Sequence, residues 1–242
     1  MQHTASYNEF ANESAMLHFL LIYFEMASPP HTESLKQSML TQGSATEWKD
    51  HFIYRFLDES DSEELFKSDT YKIILNQMVY SRLSDNFLNY LKSILAEIIV
   101  KQPKILSSKE TVSIENVLKH STLDDFLSDF TEKKIEKLFY GNVTSIRKYF
   151  YDRLGVELYE ETESKEIEML IKQRNLIVHN RGYINKEFQN LYSEFKDQEG
   201  MITFSYQKLF GINTFLSKII LRTDNLLLDK YKLDTYPLIS QP

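Results

Sequence analysis

The stretch RNLIVHNRG, residues 174–182, sets an arginine, an amide and a histidine on one helical segment. A guanidinium neutralises anions and offers paired donors to a phosphate. An imidazole exchanges protons near neutral pH and so serves as a general acid or base. Arg174, Asn175 and His179 are therefore the candidate catalytic residues. Lys172, Arg181 and Lys186 lie close in sequence and complete the most concentrated basic patch on a chain whose net charge is −7. That grouping suits an anionic substrate, with the three outer cations as candidate binders of its phosphates.

On a helical wheel at about 100° per residue, Ile167, Leu170, Ile171, Ile177 and Val178 fall within an arc of about 120°. Arg174 lies inside that arc. A guanidinium on a buried stripe is costly unless it is paired or faces an opening. Asn175 stands about 100° round from Arg174 and His179 about 140° round, on the same flank. Arg174 and His179 are not stacked on an ideal helix. Their close approach requires Arg174's long side chain, a loosened last turn, or a second copy of the helix. Two structural roles compete with catalysis: an ion pair from Arg174 to a carboxylate such as Asp85, and a cap from His179 to the last carbonyls of its helix.

The elements that must position these groups read as helices. Gly and Pro number only 6 and 5 in 242 residues, which leaves few breakers and argues for an all-α chain with short loops. The apolar spacing and cap signals predict helices at about 8–27, 44–58, 69–100, 114–120, 122–141, 142–155, 160–182 and from 205 to about 233, with a short helix after Thr32 and another starting at 184. Residues 197–204 read as a loop, in part extended. Three segments follow: an N-terminal helical extension of unknown role (1–70), a helical bundle (71–233) and a tail (234–242).

Composition narrows the function classes. The chain contains 0 Cys, so it has neither disulfides nor thiolate metal sites, and a reducing cytoplasm is the expected setting. No basic region precedes the apolar run AMLHFLLIYFEM (15–26), which is too short to cross a bilayer, so neither a signal peptide nor a membrane span is expected. His3, His18, His31, His51 and His120 are scattered, and DESDSEE (58–64) lacks calcium-loop spacing, so no metal or other cofactor is expected. No phosphate-cradling glycine loop occurs, which argues against nucleotide hydrolysis.

The 174–188 segment, RNLIVHNRGYINKEF, resembles the signature of the HEPN superfamily, in which an arginine, a polar residue and then a histidine share one helix. Upstream, SRLSDNFLNYL (81–91), LDDFLSDFTEKKIEKLFYGN (123–142) and the helix at 143–154 appear in similar order, so the resemblance covers roughly 78 to 232. It implies a HEPN-like helical bundle that dimerises and brings two Arg/His sets into one cleft. It further implies a metal-independent endoribonuclease acting on cellular or phage RNA, as an antiviral-defence effector, an abortive-infection factor or a toxin. On that reading His179 handles the proton of the 2′-hydroxyl or of the leaving group, and Arg174 neutralises the phosphate. Asn175 orients one of them or binds substrate. The products carry a 2′,3′-cyclic phosphate and a 5′-hydroxyl. A regulatory or antitoxin partner protein belongs to the same picture. Some family toxins carry a tyrosine two residues after the histidine for silencing by a nucleotidyltransferase. Here Arg181 stands there and Tyr183 comes later, so that control is not expected. The competing reading is a catalytically inert HEPN-like module for binding or assembly, with the motif kept for structure.

Overall fold

The computed structural model describes residues 2–26, 70–106 and 111–237; the expected helices at 44–58 and after Thr32, and the acidic stretch 58–64, lie outside them. Among the described residues the chain is all-α apart from two very short strands. The elements are β1 (Gln2–His3), α1 (Ala5–Met26), α2 (Thr70–Lys101), a 3-10 turn (Pro103–Leu106), α3 (Ile114–Leu118) and α4 (Leu123–Phe139). Then come α5 (Val143–Tyr149) with a wider π turn (Phe150–Leu154), α6 (Glu161–Asn180), α7 (Lys186–Leu191), a 3-10 turn (Ser193–Phe195), α8 (Tyr206–Tyr231) and β2 (Tyr236–Pro237). None of the described helices is long and apolar enough to cross a membrane.

α2 is the axis of the bundle. Leu83, Phe87, Tyr90, Leu91, Ile94, Leu95 and Ile98 recur at steps of one, three and four and are almost wholly buried, so the helix is apolar on more than one side. It packs against α1, α4, α6 and α8. Leu209, Ile212, Leu216, Ile219, Ile220 and Leu227 give α8 the single apolar face of a bundle wall. The cap expected at Thr122 forms: its Oγ1 accepts from the Asp125 amide at 3.1 Å. The 142–155 segment departs from expectation. It starts as an α-helix capped by Asn142 and then widens into the π turn, which closes on Gly155 at φ 59°.

α1, assigned from sequence to the N-terminal extension, contributes Phe10, Leu17 and Leu21 to the same core as α2 and α8. Asn86 on α2 donates to the Phe10 carbonyl at 3.0 Å and to Ser14 Oγ at 3.1 Å, filling the gap with satisfied polar contacts. The two chain ends meet as well. β1 pairs antiparallel with β2, Gln2 opposite Pro237 and His3 opposite Tyr236. Beneath them lies Asp224, fully buried. Thr4 Oγ1 donates to it at 2.5 Å, the Tyr90 hydroxyl donates at 3.3 Å, and His3 Nδ1 lies 3.5 Å away. A carboxylate in that position is tolerable because Thr4, through its hydroxyl and amide, and Tyr90 donate to it. The same surroundings, burial first and Asp224 second, push the Tyr90 phenol well above its ordinary value.

Candidate active site

α6 carries the site. It begins in a capping box: the Glu160 side chain takes an amide of the first turn, and Glu163 accepts from the Glu160 amide at 2.7 Å. Its buried residues are Ser164, Ile167, Leu170, Gln173 and Leu176, a stride of three. A stride of three rotates the buried face steadily along a helix that repeats every 3.6 residues, as expected where a helix crosses its neighbour at an angle. The apolar arc expected from the wheel is corrected by this rotation. Val178 is 48% exposed, and the buried side near the C-terminus is Leu170, Gln173 and Leu176. Gln173 fits because its Oε1 accepts from the Tyr80 hydroxyl of α2 at 2.5 Å.

Arg174 consequently lies at the margin of the buried face, not in the middle of an apolar stripe. Its Nε donates to Asp85 Oδ1 at 2.9 Å and its Nη2 stands 2.8 Å from the same oxygen. Its Nη1 donates to Asn175 Oδ1 at 3.3 Å. The side chains of Arg174 and Asp85 are 25% and 30% exposed, so the pair opens to solvent. A guanidinium grasped along its Nε–Nη2 side, with one Nη1 proton on Asn175, keeps one proton on each Nη for a second anion. Asp85 on α2 thus belongs to the site; the sequence marked it only as a competing ion-pair partner. No local motif identifies it, because its role depends on which residue of α2 the crossing brings opposite Arg174.

His179 is exposed in the last turn of α6, and neither Arg174 nor Asn175 forms a hydrogen bond with it. The capping role weighed for it is not seen. The Leu176 carbonyl is capped instead by backbone N–H groups, those of Arg181 and of Gly182, the latter at 2.9 Å. Arg181 takes the left-handed conformation, φ 53°, and its side chain points outward. Gly182 follows at φ 77°, and a Cβ there meets the Gln77 amide at 2.3 Å. Gln77 is 5% exposed and donates to the Ile202 carbonyl at 2.9 Å. The Tyr183–Met201 bridge, with Ile202 N–H on the Gly182 carbonyl at 2.8 Å, fixes the same corner. This is the extended part expected within 197–204.

Two of the three outer cations have no charge partner among the described residues. Lys172 Nζ lies 3.9 Å from Glu187, both of them exposed. Arg181 and Lys186 are exposed, and no described residue forms an ion pair with either. Lys186 opens α7, whose N-cap Asn185 accepts from the Phe188 amide at 2.9 Å. The structure therefore brings Arg174, Asn175 and Asp85 into contact. It sets His179 at the exposed helix end and leaves Lys172, Arg181 and Lys186 on the surface around that end.

Neither a protein-family model nor a curated protein nor a solved structure matches this chain.

Proposed function

We propose that this chain is a HEPN-type endoribonuclease that needs no metal and acts as an antiviral-defence effector or toxin on cellular or phage RNA. The observation that carries the reading is the side-on grip of Asp85 on Arg174. It holds the guanidinium at the rim of the bundle with one end available, near a solvent-exposed imidazole on the same helix. In the reaction, the 2′-oxygen of a ribose attacks the adjacent phosphorus and the bond from phosphorus to the 5′-oxygen breaks. His179 takes the 2′-hydroxyl proton or supplies a proton to the departing 5′-oxygen. Arg174 meets the charge that grows on the phosphoryl oxygens. Lys172, Arg181 and Lys186 hold flanking phosphates.

Two transfers need two proton-handling groups, and each chain contributes one histidine. A homodimer that sets two such helices side by side meets the need. Exposed Val178 on α6 and Met78 on α2 give the neighbourhood of Arg174 the apolar surface that pairing requires. The test is cleavage of RNA by the purified chain, with the new ends mapped. A 2′,3′-cyclic phosphate and a 5′-hydroxyl are expected, with loss of cleavage in His179→Ala and Arg174→Ala at unchanged fold. RNA left intact by the wild type at high protein concentration overturns the reading.

One observation favours the inert binding or assembly module. Arg174 is already paired within its own chain, and such a pair can serve simply to pin α6 to α2. A pair this exposed contributes about 1 kcal/mol or less. Under the ribonuclease reading, Arg174→Ala folds normally and loses activity. Under the assembly reading, it loosens the bundle or its contacts and there is no activity to lose.

A further inference from the structure

A groove runs along the C-terminal half of α2, between α2 and α4. It encloses about 620 Å³. Its floor is Ser93, Ala96, Ile99 and Val100 of α2, with Leu127 and Ile135 rising from α4. The small side chains of Ser93 and Ala96 let another backbone come close. Val100 is 80% exposed, so apolar surface is presented openly. Within the α4 wall, Thr131 is only 9% exposed.

The rim is acidic. Asp124, Glu132 and Glu136 line the α4 edge, and none has an ion-pair partner among the described residues. Asp129 on the same helix is matched by Lys133 at 2.7 Å. Past Ser93, Ala96 and Val100 the groove continues into a second hollow of about 470 Å³, edged by Glu9 and Glu97. The cations at hand are engaged: Lys92 lies over the Phe139 ring at 5.6 Å, and Lys101 pairs with Asp234 at 3.1 Å.

We propose that this groove docks a cationic amphipathic helix of another protein, its apolar face on Ala96 and Val100 and its Lys or Arg flanks along the two acidic edges. Asp124, Glu132 and Glu136 stand at multiples of four residues, one ridge of α4 about 18 Å long. That matches roughly three turns of a docked helix. A second copy of the chain is the poorer occupant. Its exposed apolar helix α3, with Ile114 and Leu118 76% and 77% exposed, pairs Glu115 with its own Lys119 at 3.5 Å and so brings no net positive charge to the acidic edges. The inference is independent of the ribonuclease reading.

The probe is a helical peptide of about 14 residues. It has Leu on one face and Lys on both flanks, and its twin has Glu at every Lys position. Both are titrated against the full chain by fluorescence anisotropy. The Lys peptide is expected to bind at about micromolar concentration and the Glu twin not to bind. The double variant E132K/E136K, altered only at exposed positions and checked by circular dichroism, should weaken binding about tenfold or more, and salt should weaken it in the wild type. The amide signals of Ser93, Ala96 and Thr131 should move on binding. The proposal fails if neither peptide binds, if both bind alike, or if E132K/E136K binds as tightly as wild type. It fails too if the wild type is a dimer that E132K/E136K splits, since the groove is then a contact between copies.

Discussion

Asp85 decides how Arg174 can act. The carboxylate lowers the positive potential at the site, yet it also fixes the plane of the guanidinium. For a group that must meet charge appearing only in the transition state, fixed orientation matters more than ground-state attraction. Under the ribonuclease reading, Asp85→Asn keeps an acceptor for Nε and removes the negative charge. RNA binding should tighten or hold, seen as an unchanged or lower KM, while kcat falls by about tenfold. Asp85→Ala should lower kcat further, by about a hundredfold, with melting temperature little changed. A rise in kcat/KM in both variants would show that Asp85 restrains Arg174 instead of orienting it.

At the scale of the element, the end of α6 is set by Gly182. Its φ of 77° disfavours any side chain, and a Cβ there would push the buried Gln77 amide off the Ile202 carbonyl. Gly182→Ala is expected to cost about 2–4 kcal/mol and to displace the turn that carries Arg181, measured by chemical denaturation. The start of α6 is tied differently. Burial acts against the charge on Glu163, but the Arg222 guanidinium at 2.7 Å and the Glu160 amide outweigh it, and its carboxyl is held below the ordinary 4.5. A carboxyl depressed in the folded state stabilises above its unfolded pKa and loses that contribution as pH falls through the folded value. Arg222→Met should therefore lower the melting temperature at pH 7, with the difference from wild type shrinking below about pH 4.

For the whole molecule, the question is whether one chain holds a working site. Arg174 forms its hydrogen bonds with Asp85 and Asn175, and none with His179. If each site takes its arginine from one chain and a single histidine from the other, inactive Arg174→Ala and His179→Ala proteins should complement each other when mixed. Random reassortment makes half the dimers mixed, each with one intact site of two, so recovery of roughly a quarter of wild-type activity is expected. Absence of recovery, with exchange proven by mass spectrometry, is the outcome expected of one cleft that uses both histidines.

Much of this architecture was legible in the chain itself. Helical periodicity, scarce glycine and proline, and cap residues such as Thr122 and Asn142 determined the all-α class and most helix limits, because a helix is satisfied by contacts within a few residues. The exposed histidine and cations at the end of α6 were legible in the same way, since composition and position on one helix suffice to find them. Contacts across the chain were not. Pairing of residues 2–3 with 236–237, the buried Asp224 beneath them, and the joining of α1 to the main core all depend on partners about 50 to more than 200 positions away. So does the rotation of the buried face of α6. An ideal wheel assigns one fixed inner side to a helix, but a crossing helix changes its inner side along its length. Tertiary packing alone therefore decided that Val178 is exposed, that Arg174 stands at a margin, and that Asp85 meets it there.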